Sequence, residues 1–209
     1  MRNSVLGLIL TALVASPLAA QTAGTPKPKR INRAVELLEA GQPIYYTGAG
    51  GGGYEAGKKL AQTKADYITY EMEHGAFDLT RLRDFMRGLV DGGPTRSGHR
   101  TPAVIATLPV IGLDEAYMRA NSWVVQQVLA AGVHGILLCH ARSPEAIRVL
   151  VEASRYPFAP KAAGLGEGLR GSGSQGFAAQ IWGLPASEYL RKADPWPLNK
   201  EGELMLGLK

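Results

Sequence analysis

Apolar positions along this chain switch between a period of two and a period near three and a half, which predicts strands alternating with helices. Ala34, Val35, Leu37 and Leu38 group within Arg33–Ala40, and Gly41 supplies a helix stop. Pro43–Thr47 reads as a first strand, and the run Gly48–Gly53 leads into a helix over Tyr54–Thr63. Tyr67–Tyr70, β-branched and aromatic, reads as a buried second strand. Leu79, Leu82, Phe85, Met86 and Leu89 then fall at helical spacing over Leu79–Val90. A polar, glycine-containing turn over Asp91–Thr101 precedes a third strand, Pro102–Thr107. A helix over Glu115–Ala131, a fourth strand over Gly135–Cys139 and a helix over Pro144–Ser154 follow, the last with Ser143 as N-cap and Pro144 at its first position. Beyond Phe158 the pattern thins: Ala163–Gly176 is a Gly/Ser-rich loop, Ala186–Ala193 a short helix, and Glu203–Lys209 starts a fifth strand. Strands alternating with helices predict an α/β fold with a parallel sheet and right-handed crossovers.

Composition narrows the classes. A chain of 209 residues can bury one sizeable core. Its net charge of +5 is spread along the sequence, with no Lys/Arg block interleaved with aromatics, so no nucleic-acid partner is expected. The single cysteine, Cys139, excludes an intramolecular disulfide and a cysteine-rich zinc site, and its apolar setting predicts a buried thiol. At the N-terminus, Arg2, the apolar run Val5–Val14 and the small residues Ser16–Ala20 form a signal peptide over residues 1–20. That run is short for a membrane span, so after cleavage no membrane association is expected. Residues 21–30 read as a flexible leader and 31–209 as the folded part of an exported protein, periplasmic in a Gram-negative cell.

In parallel α/β sheets chemistry gathers where strands end. Tyr67–Tyr70 runs into Glu71-Met72-Glu73-His74. Two carboxylates share a face in an ideal strand, and an imidazole beside them can move a proton near neutral pH. The competing reading is a charged, solvated loop. His140 ends the fourth strand, so a barrel would turn it to the same mouth as His74. His134 reads as structural, and His99, between Arg96 and Arg100, as solvent-facing. Gly48–Gly53 satisfies G-x-G-x-x-G between strand and helix, with Glu71 at a spacing that could meet a ribose hydroxyl, the mark of a dinucleotide-binding oxidoreductase. A plain glycine turn fits equally. Arg170, in Leu169-Arg-Gly-Ser-Gly173, suits either a grip on a carboxylate or phosphate or a place on the surface.

Several stretches together resemble the HpcH/HpaI aldolase/citrate lyase family. Asp66–His74 resembles its strand ending in D-x-E-H, and Leu129–Ile136 its L-D-x-G-x-x-G-I element. Ser143–Ala146, Arg155-Tyr-Pro157 and Leu169–Gly173 are similar to its E-A, R-Y-P-P and R-G-x-G series. The likeness runs in register from about Ile31 to Lys209 and displaces the dinucleotide reading. It implies a (β/α)8 TIM barrel of which about the first five β/α units are present. It also implies reversible aldol cleavage of a 2-oxo acid, with a divalent metal, Mg2+ or Mn2+, stabilising a pyruvate enolate. On the same resemblance His74 is the acid/base group and Glu73 its support, Arg170, Gly171 and Gly173 form a substrate-holding loop, and the protein is a homo-oligomer. The family's metal ligands match nothing within the chain and would fall about two residues beyond Lys209 and further on, so the sequence is expected to be part of a longer one. Glu71 stands where the family has the first aspartate, Thr107 where it has an arginine, and Ala130 where it has the aspartate that pairs with the histidine. The alternative reading is a non-catalytic periplasmic protein of the same fold that binds a small carboxylate.

Overall fold

The computed structural model describes residues 28–209; the expected signal peptide and most of the leader lie outside the described residues. In chain order the elements are α1 (Arg33–Glu39), β1 (Tyr46–Gly48), α2 (Tyr54–Leu60), β2 (Tyr67–Tyr70), α3 (Leu79–Asp91), β3 (Ala103–Ile111) and α4 (Glu115–Ala120). They continue as α5 (Ser122–Ala130), β4 (Gly135–Cys139), α6 (Pro144–Ser154), α7 (Gln175–Trp182), α8 (Ala186–Lys192) and β5 (Met205–Leu208). The five strands form one sheet in chain order, every neighbouring pair parallel. The expected succession of β/α units is therefore present.

Local chemistry explains where the boundaries depart from expectation. β1 starts at Tyr46 because the Tyr45 N–H donates to the Asp66 side chain at 2.9 Å, so the ladder opens at Tyr46 opposite Tyr67. β3 runs on to Ile111 through a register shift after Thr107, which accommodates Pro109 where no ladder donor is needed. The expected long helix breaks at Asn121, whose side-chain amide donates to the Tyr117 carbonyl while Ser122 Oγ donates to Arg119, both competing with the helical ladder. α7 was hidden under the Gly/Ser-rich stretch: Ala178, Ala179, Ile181 and Trp182 are buried, and Gly183 ends the helix at φ 71°.

Strand residues Ile68, Val104, Ala106, Ile136 and Leu138 pack with the apolar faces of α3, α5 and α6 in one core. On α3, Leu82, Phe85, Met86 and Leu89 are wholly buried, as their spacing predicts. His99, expected in solvent, is buried instead. Its Nδ1 meets Ser97 Oγ at 3.0 Å and its Nε2 meets Glu36 at 3.2 Å, so polar partners compensate its burial. His134, immediately before β4, accepts the Val104 N–H on Nδ1 at 3.2 Å and stacks on Trp182.

Two contacts bind distant parts of the chain. Asn32 Nδ2 donates to the carbonyls of His134 and Glu203 at 3.1 and 3.0 Å, while Glu203 Oε2 accepts the N–H groups of Ile31 and Asn32. At the end of α6, Arg155 pairs with Asp194 through two hydrogen bonds of 2.8 and 3.1 Å, both side chains buried.

α2 and α3 touch backbone to backbone. A Cβ added at Gly57 would lie 2.1 Å from the Phe85 carbonyl oxygen, and one at Gly88 would lie 2.0 Å from that of Tyr54. Glycine at both positions is required by the approach itself. Gly88→Val is expected to force the helices apart and to lower unfolding free energy by about 3 kcal/mol, read from urea denaturation. An unchanged midpoint would mean that the pair can separate without loss.

Candidate active site at the ends of the parallel strands

Past Tyr70 the chain turns over the C-terminal end of β2, and two side chains hold the turn. Glu71 Oε1 accepts the N–H groups of Glu73 at 2.6 Å and His74 at 2.9 Å. Buried Thr107 on β3 accepts the N–H groups of Met72 at 2.8 Å and Glu73 at 3.2 Å, and donates to the Tyr70 carbonyl at 3.3 Å. Thr107 thus fixes the backbone that carries Glu73. Glu71 is tied to the same turn, so it does not share an open face with Glu73.

Glu73 is the centre of the cluster, its side chain only 8% exposed. Oε2 lies 3.2 Å from Lys209 Nζ and 3.6 Å from His74 Nε2. Oε1 lies 3.1 Å from His140 Nε2, yet off the line of a hydrogen bond, and is buried with no other partner. The neighbouring Cys139 thiol and Lys209 hold this carboxylate below the ordinary carboxylate range against the opposing effect of burial. Burial first, then Glu73, pushes the thiol up to about 12, so Cys139 is a neutral donor and no nucleophile. Hydrogen bonding to Glu73 raises Lys209, which keeps an ammonium there and disfavours imine formation.

The structure therefore brings Glu73 and His74 together and adds Lys209, His140 and Cys139. The rule that singled out His74, that chemistry sits where parallel strands end, also points to His140 after β4 and Lys209 after β5. His140 has φ 51°, the one positive value at a non-glycine position among the described residues.

Arg170 does not join them. It is 2% exposed, its guanidinium lies 4.6 Å from the Tyr156 ring centre, and Nη2 donates to the Tyr189 hydroxyl at 2.7 Å. Tyr189 packs edge-on to Trp182, which stacks on His134. These contacts lead to the N-terminal end of β4, opposite the end that carries Glu73. Gly171 and Gly173 are exposed in the loop that follows, and nothing lies within 4 Å of a Cβ built at either. Ala130 ends α5.

No family model and no curated sequence matches the chain. Solved structures do. An HpcH/HpaI aldolase/citrate lyase family protein from Burkholderia cenocepacia superposes with TM-score 0.55 at 19% identity, over 78% of this chain and 54% of that one. An HpcH/HpaI aldolase from Desulfitobacterium hafniense gives 0.53 at 20% identity, over 82% and 55%. The chain has the fold of these proteins, a partial (β/α) barrel, and spans about half their length.

The resemblance implies a divalent metal. Among the described residues no three His, Cys, Asp or Glu side chains are grouped to hold one. The Glu73 oxygens face an ammonium, two imidazoles and a thiol donor instead of a second carboxylate. The ligands that the resemblance implies are thus not among the described residues, and the steps given below are assigned to this chain's own side chains. No described helix is long and apolar enough to cross a membrane.

Proposed function

We propose that this protein is an exported, aldolase-like carbon–carbon lyase that cleaves or forms a 2-oxo acid. The observation that carries the reading is the buried, ionised Glu73 between two imidazoles and an ammonium, at the strand ends where α/β barrels place their chemistry. Aldolase is also the name that the fold's neighbours carry.

Cleavage of a 4-hydroxy-2-oxo acid begins with loss of the hydroxyl proton. His74 takes it, and Glu73 orients the imidazole and stabilises the imidazolium that forms. The bond between C3 and C4 breaks, its electron pair passes into the enolate, and an aldehyde leaves. The exposed ammonium of Lys209 is the cation available at the mouth to a carboxylate substrate.

The test is release of pyruvate from 4-hydroxy-2-oxo acids, with Mg2+, Mn2+ or chelator as variables. His74→Ala is expected to lower kcat about 100-fold while substrate still binds. Carboxylate binding without turnover, unchanged by His74→Ala, would leave the non-catalytic binding protein as the reading. Export is checked by the N-terminus of the mature chain, expected just after Ala20.

A further inference from the structure

We propose that His140 is a second proton-transfer residue of this site, joined to His74 through the two oxygens of the single carboxylate of Glu73. The proposal rests on the lyase reading for its substrate, but its geometry stands separately. His74 Nε2 faces Oε2 and His140 Nε2 faces Oε1, at 3.6 and 3.1 Å. The carboxylate is buried while the two rings are 74% and 51% exposed, so each imidazole lies against Glu73 on one side and is largely open on the other.

Oε1 adds the second observation. A buried carboxylate oxygen without a hydrogen bond demands a donor, and the Nε2 of His140 lies 3.1 Å from it. A small turn of that ring makes a charge-assisted hydrogen bond to Oε1. Nε2 then carries the proton, and Nδ1 of this half-exposed ring is left as the group that exchanges a proton. The charged and titratable groups around the pair are Glu71 and His74 from the end of β2, Cys139 from β4 and Lys209 from β5. Neither Cys139 nor Lys209 serves as the exchanging group, because both keep their protons.

Retro-aldol cleavage needs two such transfers at different atoms. One proton leaves the C4 hydroxyl as the bond between C3 and C4 breaks, and one proton arrives at C3 as the enolate becomes the methyl group of pyruvate. The electron pair of the broken bond forms the new C–H bond, and no oxidant or reductant is involved. Two imidazoles on one carboxylate supply one transfer each, and Glu73 stabilises whichever ring is charged.

The experiment compares His140→Gln and His74→Gln with the wild-type full chain in two reactions: cleavage, and deuterium exchange into the methyl group of pyruvate in D2O. Both variants are expected to lose about 100-fold in cleavage, and only one of them to lose methyl exchange. Cleavage by His140→Gln within threefold of wild type, or proportional loss of both reactions in both variants, overturns the proposal. The carboxylate link is read independently by NMR titration of the imidazoles: replacing His140 is expected to shift the midpoint of His74, and an unmoved midpoint overturns the link. Wild-type protein with neither cleavage nor exchange overturns the lyase reading, and the titration alone then decides whether the rings share Glu73.

Discussion

Asp194→Ala is expected to destabilise the fold by about 3–5 kcal/mol, because it leaves the Arg155 guanidinium buried without its counter-charge. The pair is bidentate, and the same carboxylate also accepts Asn199 Nδ2 at 2.9 Å, so one truncation unmakes three hydrogen bonds. At about 2–4 °C per kcal/mol for a chain of this length, melting is expected to fall by about 10 °C. Replacing both partners by apolar residues of similar size should recover most of the loss, since the cost lies in the stranded charge. A loss below about 1 kcal/mol for Asp194→Ala would mean that water reaches Arg155. The Arg155-Tyr-Pro157 stretch, one of the motifs behind the family resemblance, thus serves the structure by fastening the end of α6 to the segment that enters β5.

Acid is expected to weaken the protein through His134. Burial, with a smaller contribution from His99, pushes this imidazole down to about 3, and its Nδ1 already accepts the Val104 N–H. Protonation would set donor against donor in a dry site. Between the ordinary imidazole value near 6.5 and the folded value the unfolded chain binds more protons, so stability falls as pH drops below 6.5. The slope is about 1.4 kcal/mol per pH unit, or about 2 kcal/mol between pH 6.5 and 5. Glu203 acts with opposite sign: burial raises it, the folded state binds more protons above the ordinary value of 4.5, and stability is gained as pH falls toward that value. Urea unfolding of wild type and His134→Asn at pH 7 and pH 5 separates the two. The asparagine keeps an acceptor for Val104, and its stability should change less with acid; equal slopes would exclude His134.

The elements were legible wherever one face of a strand or helix met the core, because local period alone betrays burial. Tyr67–Tyr70, Gly135–Cys139 and the α3 face required nothing more. What escaped depends on partners far along the chain. His99 looked solvated among arginines, but Glu36 on α1 receives it. Arg170 looked like an anion clamp, but Tyr156, just past α6, and Tyr189 on α8 enclose it. At the candidate site, Glu73 and His74 were legible from one stretch, while Lys209 on Glu73 joins residues that only the sheet brings together. Thr107 shows the same limit: where the resemblance expects an arginine, the threonine hydroxyl holds the turn bearing Glu73, a role invisible without the β2–β3 pairing.

The order of the sheet and the bonds of Asn32 together imply a timetable for assembly. Each strand lies beside the one made just before it, so the sheet can grow in step with synthesis, adding one neighbour at a time. The first helix cannot finish in that way. Its amide clasp on Glu203 and His134 must wait until nearly the whole described chain has emerged. α1 thus locks later than its place in the chain suggests, a latch that closes over the lower end of β4 and β5 only after the residues it grips have been made.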